Sequence, residues 1–190
     1  DGNLERAAAR PVAGLHVVLA RAPEQLDAVL DALPADRVLS AGILDGRNVW
    51  LSDPAAILPR VETLRARLPD DRLWLSTSCS LLHVPIDAAE ERRLPGDLGQ
   101  WLSFARQKIG ELRRYADAAG GDDTARQVLA RQRDIVATRL SAPEVVRDEV
   151  RARVPGPTPP FGRRRSPLPP PAAVPRDSVG ALALVPQRLG

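Results

Sequence analysis

Arg72–His83, RLWLSTSCSLLH, is the stretch from which the fold of this chain is read. Leu73, Trp74 and Leu75 form a short apolar run behind the turn signal Pro69-Asp70-Asp71, the pattern of a buried strand entered from a helix. Ser76–Ser80 then fall at the C-terminal end of that strand and include Cys79, the single cysteine of the chain. In barrels and open sheets of parallel strands this end faces the ligand crevice, so Ser76–Ser80 are candidate site residues by position.

Two earlier stretches prepare for this strand. Gly14–Ala20, GLHVVLA, reads as a first buried strand, and Asp1–Arg10 before it as the end of a helix or a connecting segment. Pro23 can occupy the first turn of a helix in which Leu26, Val29, Leu30 and Leu33 recur at helical spacing. Pro34 ends that helix. Arg37–Leu44, RVLSAGIL, is a second strand, closed by the turn Asp45-Gly46-Arg47-Asn48. Asp53-Pro54 places a capping aspartate before a proline at the first helical position, and Ile57, Leu58, Val61, Leu64 and Leu68 form the apolar stripe that follows. Three strands alternating with helices predict an α/β fold with a parallel sheet and right-handed crossovers.

After the third strand the spacing predicts a longer helix from about Pro95 to Ala118. Its apolar face is Leu98, Trp101, Leu102, Ala105, Ile109, Leu112 and Ala116, and Gly120-Gly121 closes it. Asp122 or Asp123 can cap a further helix carrying Val128, Leu129, Ile135, Val136 and Leu140. Pro143 interrupts it, and a last amphipathic turn or two runs toward Val154. Beyond Pro155 the periodicity fails. The segment to Gly190 cannot offset its chain entropy with buried surface, which predicts disorder or an extended conformation.

Composition divides the chain at the same place. Ten of the 19 prolines lie in Pro155–Gly190, where five arginines face one acid, Asp177; that segment carries about +4 of charge against +3 for the whole chain, leaving about −1 for residues 1–154. The basic character therefore belongs to the tail and does not mark the folded part as a nucleic-acid binder. Lys108 is the only lysine. One cysteine excludes an internal disulfide and fits a reducing compartment. No apolar run is long enough to span a bilayer and no signal-peptide pattern is present, so the expectation is a cytoplasmic protein with no membrane partner. The chain opens on Asp1, as if processing or truncation had removed something.

The chemistry-bearing residues are few. Cys79 has only His16 and His83 as soft co-ligands, short of the three or four that zinc requires, and no Cys-x-x-Cys or His-x-Cys pair occurs. His83, four residues on, could act as its base in thiolate catalysis; a structural thiol packed at the strand end is the favoured reading. His16, inside an apolar strand, reads as a hydrogen-bonded core histidine, and His83 as a residue fixing its loop. Asp87, Glu90 and Glu91 are followed at once by Arg92 and Arg93, a solvated loop and helix approach. Gly42 and Gly46 match neither GxGxxG nor GxxxxGK. Arg163-Arg164-Arg165, flanked by prolines, lacks the aromatic interleaving of a nucleic-acid site.

Three strings read together carry a resemblance: NLERAAARPVAGLHVVLARAPEQLD, VLSAGILDGRNVWLSD, and LWLSTSCSLLHVPIDAAEE followed by WLSFARQKIGEL. In this order and spacing they resemble the N-terminal domain of the cobalamin-independent methionine synthase family, over roughly Asn3–Val154. That family is built of two (β/α)8 barrels with the active site between them. The resemblance implies that residues 1–154 are the C-terminal portion of the first barrel: a partial TIM barrel comprising its last three βα units, with Arg72–Ser80 as closing strand, followed by long helices.

In the family, zinc is bound in the second barrel by a His-x-Cys pair, a glutamate and a further cysteine. Cys79 resembles the first barrel's counterpart of that last ligand without its partners. The resemblance thus assigns no catalytic, cofactor-binding or metal residue to this chain; zinc, homocysteine and methyltetrahydrofolate polyglutamate belong to the parent enzyme. Residues 155–190 read as a disordered Pro/Arg-rich tail, of a composition that suggests a shifted reading frame. The implied function is a fragment of the methyltransferase, inactive alone, with exposed sheet edges, marginal stability or self-association, and the missing barrel segments as partners. The alternatives are a non-catalytic scaffold with a basic tail and one chain of a split barrel methyltransferase.

Overall fold

The structure, a computed structural model, describes residues 2–153 apart from 95, 144 and 146. The expectations for the tail, including Arg163–Arg165, lie outside the described residues. The chain divides into two compact units, Asp1–Arg147 and Asp148–Gly190. In the second, the described element is a short helix, Asp148–Arg153.

The first unit opens with helix α1, Gly2–Ala8, followed by strand β1, Gly14–Val17. A 3-10 turn at Pro23–Gln25 leads into α2, Leu26–Ala32, and then β2, Val38–Leu44. Helix α3, Pro54–Arg67, precedes β3, Leu73–Thr77. Helices α4, Ala105–Ala119, and α5, Asp123–Ser141, complete it. The strands form one parallel sheet in the order β1-β2-β3, with Gly14 opposite Val38 and Leu39 opposite Leu73; the register shifts between Gly42 and Leu44. This α/β arrangement is compatible with part of a barrel.

Local chemistry explains most of these boundaries. Asp53 Oδ1 accepts from the Ala55 amide at 2.9 Å and Pro54 follows it, which starts α3 where the sequence placed it. Asp122 caps α5 through the Ala125 amide at 3.0 Å. Between α4 and α5 the chain reverses at Gly121, whose φ of 98° is open to glycine and costly for other residues. Arg72 ties β3 back to the approach to β2: its guanidinium donates to the Arg37 carbonyl at 2.9 Å and the Pro34 carbonyl at 2.8 Å.

One face of the sheet is covered by helices. Leu39, Ala41 and Ile43 of β2 meet Val29 and Leu30 of α2, Ile57, Val61 and Leu64 of α3, Tyr115 and Ala118 of α4 and Leu129 of α5 in a single core. The stripes expected for α2 and α3 are the ones that are buried. Each fully buried Val, Leu or Ile here contributes roughly 1.5–3 kcal/mol.

The opposite face carries Gly14, His16, Ser40 and Trp74, and among the described residues no element lies over it. Trp74 is 62% exposed and the other residues of β3 are partly buried, contrary to the buried strand expected from its unbroken apolar run. His16 is likewise exposed and not a core residue. It keeps its hydrogen bonds, Nδ1 to Ser40 Oγ at 3.0 Å and Nε2 to the Ser78 carbonyl at 3.5 Å. Strand β1 also stops at Val17, short of the expected Ala20, because the Leu19 amide turns back to the Val17 carbonyl.

The long helix expected from Pro95 is shorter. Leu98–Trp101 forms a 3-10 turn, Leu102 makes an antiparallel bridge with Trp50, and α4 begins only at Ala105. The cause is tertiary. The Leu51 amide donates to the Trp101 carbonyl at 2.8 Å and the Ser103 amide to the Val49 carbonyl at 2.7 Å, which holds residues 101–103 extended. The first amides of α4 are then satisfied by the chain itself, Ala105 by the Pro85 carbonyl and Arg106 by the Ile86 carbonyl.

Candidate functional site

Two groups of polar residues gather beyond the C-terminal ends of β2 and β3. The first is Ser76–Ser80. Ser78 is buried; its amide donates to the Leu44 carbonyl at 2.6 Å and its hydroxyl accepts from the Gly46 amide at 3.0 Å. Thr77 Oγ1 donates to the Cys79 carbonyl at 2.8 Å, and Ser80 accepts from the Leu82 amide to start the turn Leu81–His83. These hydroxyls are spent on the backbone of the strand ends. The glycines have the same purpose: a Cβ on Gly46 would meet the Cys79 carbonyl oxygen at 2.8 Å, and one on Gly42 the Val17 carbonyl oxygen at 3.0 Å. Both are packing glycines where two chain segments cross.

Cys79 is half-buried, and its Sγ donates to the Ser80 carbonyl at 3.5 Å. His83 is exposed, and among the described residues no hydrogen bond joins it to the thiol. Asp87 is more than a solvated acid. It accepts from Gln107 Nε2 and from Arg106, each at 2.7 Å, and from the Ala89 amide at 3.0 Å. These bonds, that from Gln107 foremost, hold its carboxyl below the usual carboxylate range. They pin residues 81–91 to the start of α4. Among the described residues, no three or more of His, Cys, Asp and Glu converge as metal ligands.

The second group was not foreseen in the sequence. Helix α4 buries Lys108, Glu111, Tyr115 and Ala118, while Ile109, expected on its apolar face, is 60% exposed. Glu111 accepts from the Ser52 amide and from Gln132 Nε2, each at 3.0 Å, and from the hydroxyls of Ser52 and Ser103. Ser52 Oγ also shares a hydrogen bond of 2.8 Å with the Tyr115 hydroxyl, whose pKa is pushed far up by burial. This cluster ties the β2–α3 connection to α4 and α5. Beside it, Lys108 Nζ donates to the Trp50 carbonyl at 3.2 Å and Asn48 Oδ1 at 3.4 Å. Burial lowers its pKa, opposed by the nearby charges of Glu111 and Asp45. The only signal for this cluster was the QK pair and Glu111 at helical spacing. Reading apolar residues alone passes over it.

Residues 1–69 match the family profile described as "Cobalamin-independent synthase, N-terminal domain". A 5-methyltetrahydropteroyltriglutamate–homocysteine methyltransferase of Xylella fastidiosa (strain M23) is 45% identical over 167 residues, covering 88% of this chain and 22% of that protein. The chain is similar over most of its length to part of the cobalamin-independent methionine synthases. A 5-methyltetrahydropteroyltriglutamate–homocysteine methyltransferase of Nitrobacter winogradskyi is 40% identical over 179 residues, 94% of this chain and 23% of its own length. One from Acidithiobacillus ferrooxidans is 44% identical over 162 residues, 85% and 20% respectively. The chain thus spans about a fifth of the length of the methyltransferases it matches. With 94% of the 190 residues aligned in the Nitrobacter comparison, the similarity runs past Val154 into the arginine-proline segment, further than the motifs alone reach. No helix among the described residues is long and apolar enough to cross a membrane.

Proposed function

We propose that this chain is a structural part of an enzyme that transfers the methyl group of 5-methyltetrahydropteroyltriglutamate to homocysteine, and that it supplies barrel wall and not catalytic centre. The single observation carrying the reading is the 45% identity to such a methyltransferase over 88% of the chain. The geometry supports it. A three-stranded parallel sheet covered by helices on one face, with His16 and Trp74 open on the other, is what a segment of a (β/α)8 barrel presents when the remaining strands are not beside it. The hydroxyls and glycines at the strand ends hold backbone to backbone, and among the described residues no base is hydrogen-bonded to the Cys79 thiol.

The test is an assay of the purified chain with homocysteine, the methyl-folate triglutamate and added zinc. No methionine above background is expected. Methionine formation that tracks with the purified chain would overturn the reading.

A further inference from the structure

A cavity of about 320 Å³ opens where β2 ends, between the connection Asp45–Asp53, the start of α3 and the helices α4 and α5. Three cations stand in its wall, Arg60, Lys108 and Arg139, against two carboxylates, Asp45 and Asp53. Lys108 is 1% exposed, and its ammonium is met only by neutral oxygens at 3.2 and 3.4 Å; among the described residues no carboxylate lies within ion-pair distance of it. A buried ammonium held by two long neutral contacts has donor capacity to spare, and the charges of Glu111 and Asp45 reach it only from beyond ion-pair distance. Arg139 lies over the Trp50 ring, its Cζ 5.1 Å from the centroid, and its NH1 is shielded from solvent without a hydrogen-bond partner among the described residues. An ammonium with no carboxylate at ion-pair distance and a guanidinium NH1 with no hydrogen-bond partner among the described residues, in one cavity on the side of a parallel sheet where ligands bind, point to an anion between them.

We infer that this cavity is a binding site for a small ligand bearing a carboxylate, held by the Lys108 ammonium and the stacked guanidinium of Arg139. The planar fork of Arg139, fixed by Trp50, suits a planar carboxylate. Asp45 and Asp53 in the same wall disfavour the second charge of a phosphate dianion. None of Ser76–Ser80 lines this cavity, and the assignment does not depend on the methyltransferase reading.

Because Lys108 is the only lysine, lysine labelled with 15N at Nζ reports this one side chain in the 190-residue protein. Titration with acetate is expected to move its resonance saturably, and inorganic phosphate at equal ionic strength to leave it unsaturated. Arg139→Gln, which keeps Lys108 and the reporter, is expected to weaken acetate binding about tenfold, the loss of one charge-assisted contact. A linear response to acetate, an unchanged affinity in R139Q, or tighter binding of phosphate than of acetate would each overturn the assignment.

Discussion

Glu111, completely buried in α4, accepts the backbone amide of Ser52 at 3.0 Å across 59 residues of chain. That bond, with those from Ser103 and Gln132, makes a carboxylate the fastening between the β2–α3 connection and the two long helices. Each donor aimed at it would be stranded if the side chain were shortened.

Glu111→Ala is therefore expected to cost about 3 kcal/mol or more, since several buried donors lose their acceptor at once. Glu111→Gln, which keeps an acceptor oxygen but turns an NH2 toward donors, is expected to cost less. Urea denaturation of the two variants checks the order; equal midpoints for E111A and the parent chain would remove Glu111 from this role.

The glycines separate by what surrounds them. Gly46→Ala would drive a methyl group into the Cys79 carbonyl at 2.8 Å and is expected to destabilise by about 1–3 kcal/mol. Gly110, inside α4, meets only the end of the Arg114 side chain at 3.4 Å, so Gly110→Ala is expected to stabilise by about 0.5–1 kcal/mol. Thermal unfolding should move in opposite directions for the two.

Asp87 gives the loop 81–91 a pH dependence. Its carboxyl is held below the ordinary value of 3.8, so the folded state binds that proton less readily than the unfolded chain. The stabilisation is fully present above the ordinary value and is lost as pH falls through the lowered one. Asp87→Asn is thus expected to lower the unfolding midpoint at pH 7, with the gap to the parent chain narrowing toward pH 3. A gap that stays constant or widens on acidification would contradict the assignment.

Trp74 reports on the uncovered sheet face. Its exposure and the burial of Trp101, whose Nε1 donates to Thr138 Oγ1 at 3.1 Å, predict that iodide quenches Trp74 and spares Trp101. Trp74→Gln is expected to reduce self-association of the chain in sedimentation velocity, because it removes the largest apolar group from that face. Undiminished association of W74Q would place the contact elsewhere.

The fold was legible where burial follows a simple period. Ile57, Val61, Leu64 and Leu68 recur every three or four residues and are buried in that pattern, and Asp53-Pro54 and Asp122 announce their helices by local chemistry. Helix α4 was misread for a physical reason. It packs against polar backbone and Ser52, so its inward face is Lys108, Glu111 and Tyr115, and a stripe drawn through apolar residues rotates it onto the exposed Ile109. Nothing within ten residues of Trp101 records its pairing with residues 49–51, which cuts the helix short. His16 and Trp74 read as core because each lies within an apolar run; the sheet face they share has no cover among the described residues. The Lys108 cavity joins residues from the β2–α3 connection, α4 and α5, a convergence that no spacing in the chain displays.

The central claim, that this chain is a working segment of a methionine synthase, is tested most directly by exchange. The aligned fifth of the Xylella fastidiosa enzyme is replaced by this chain, and methionine formation from homocysteine and the methyl-folate triglutamate is measured in the purified chimera. The account predicts a folded chimera that makes methionine. A chimera that folds, as judged by a cooperative unfolding transition, and makes none would contradict it.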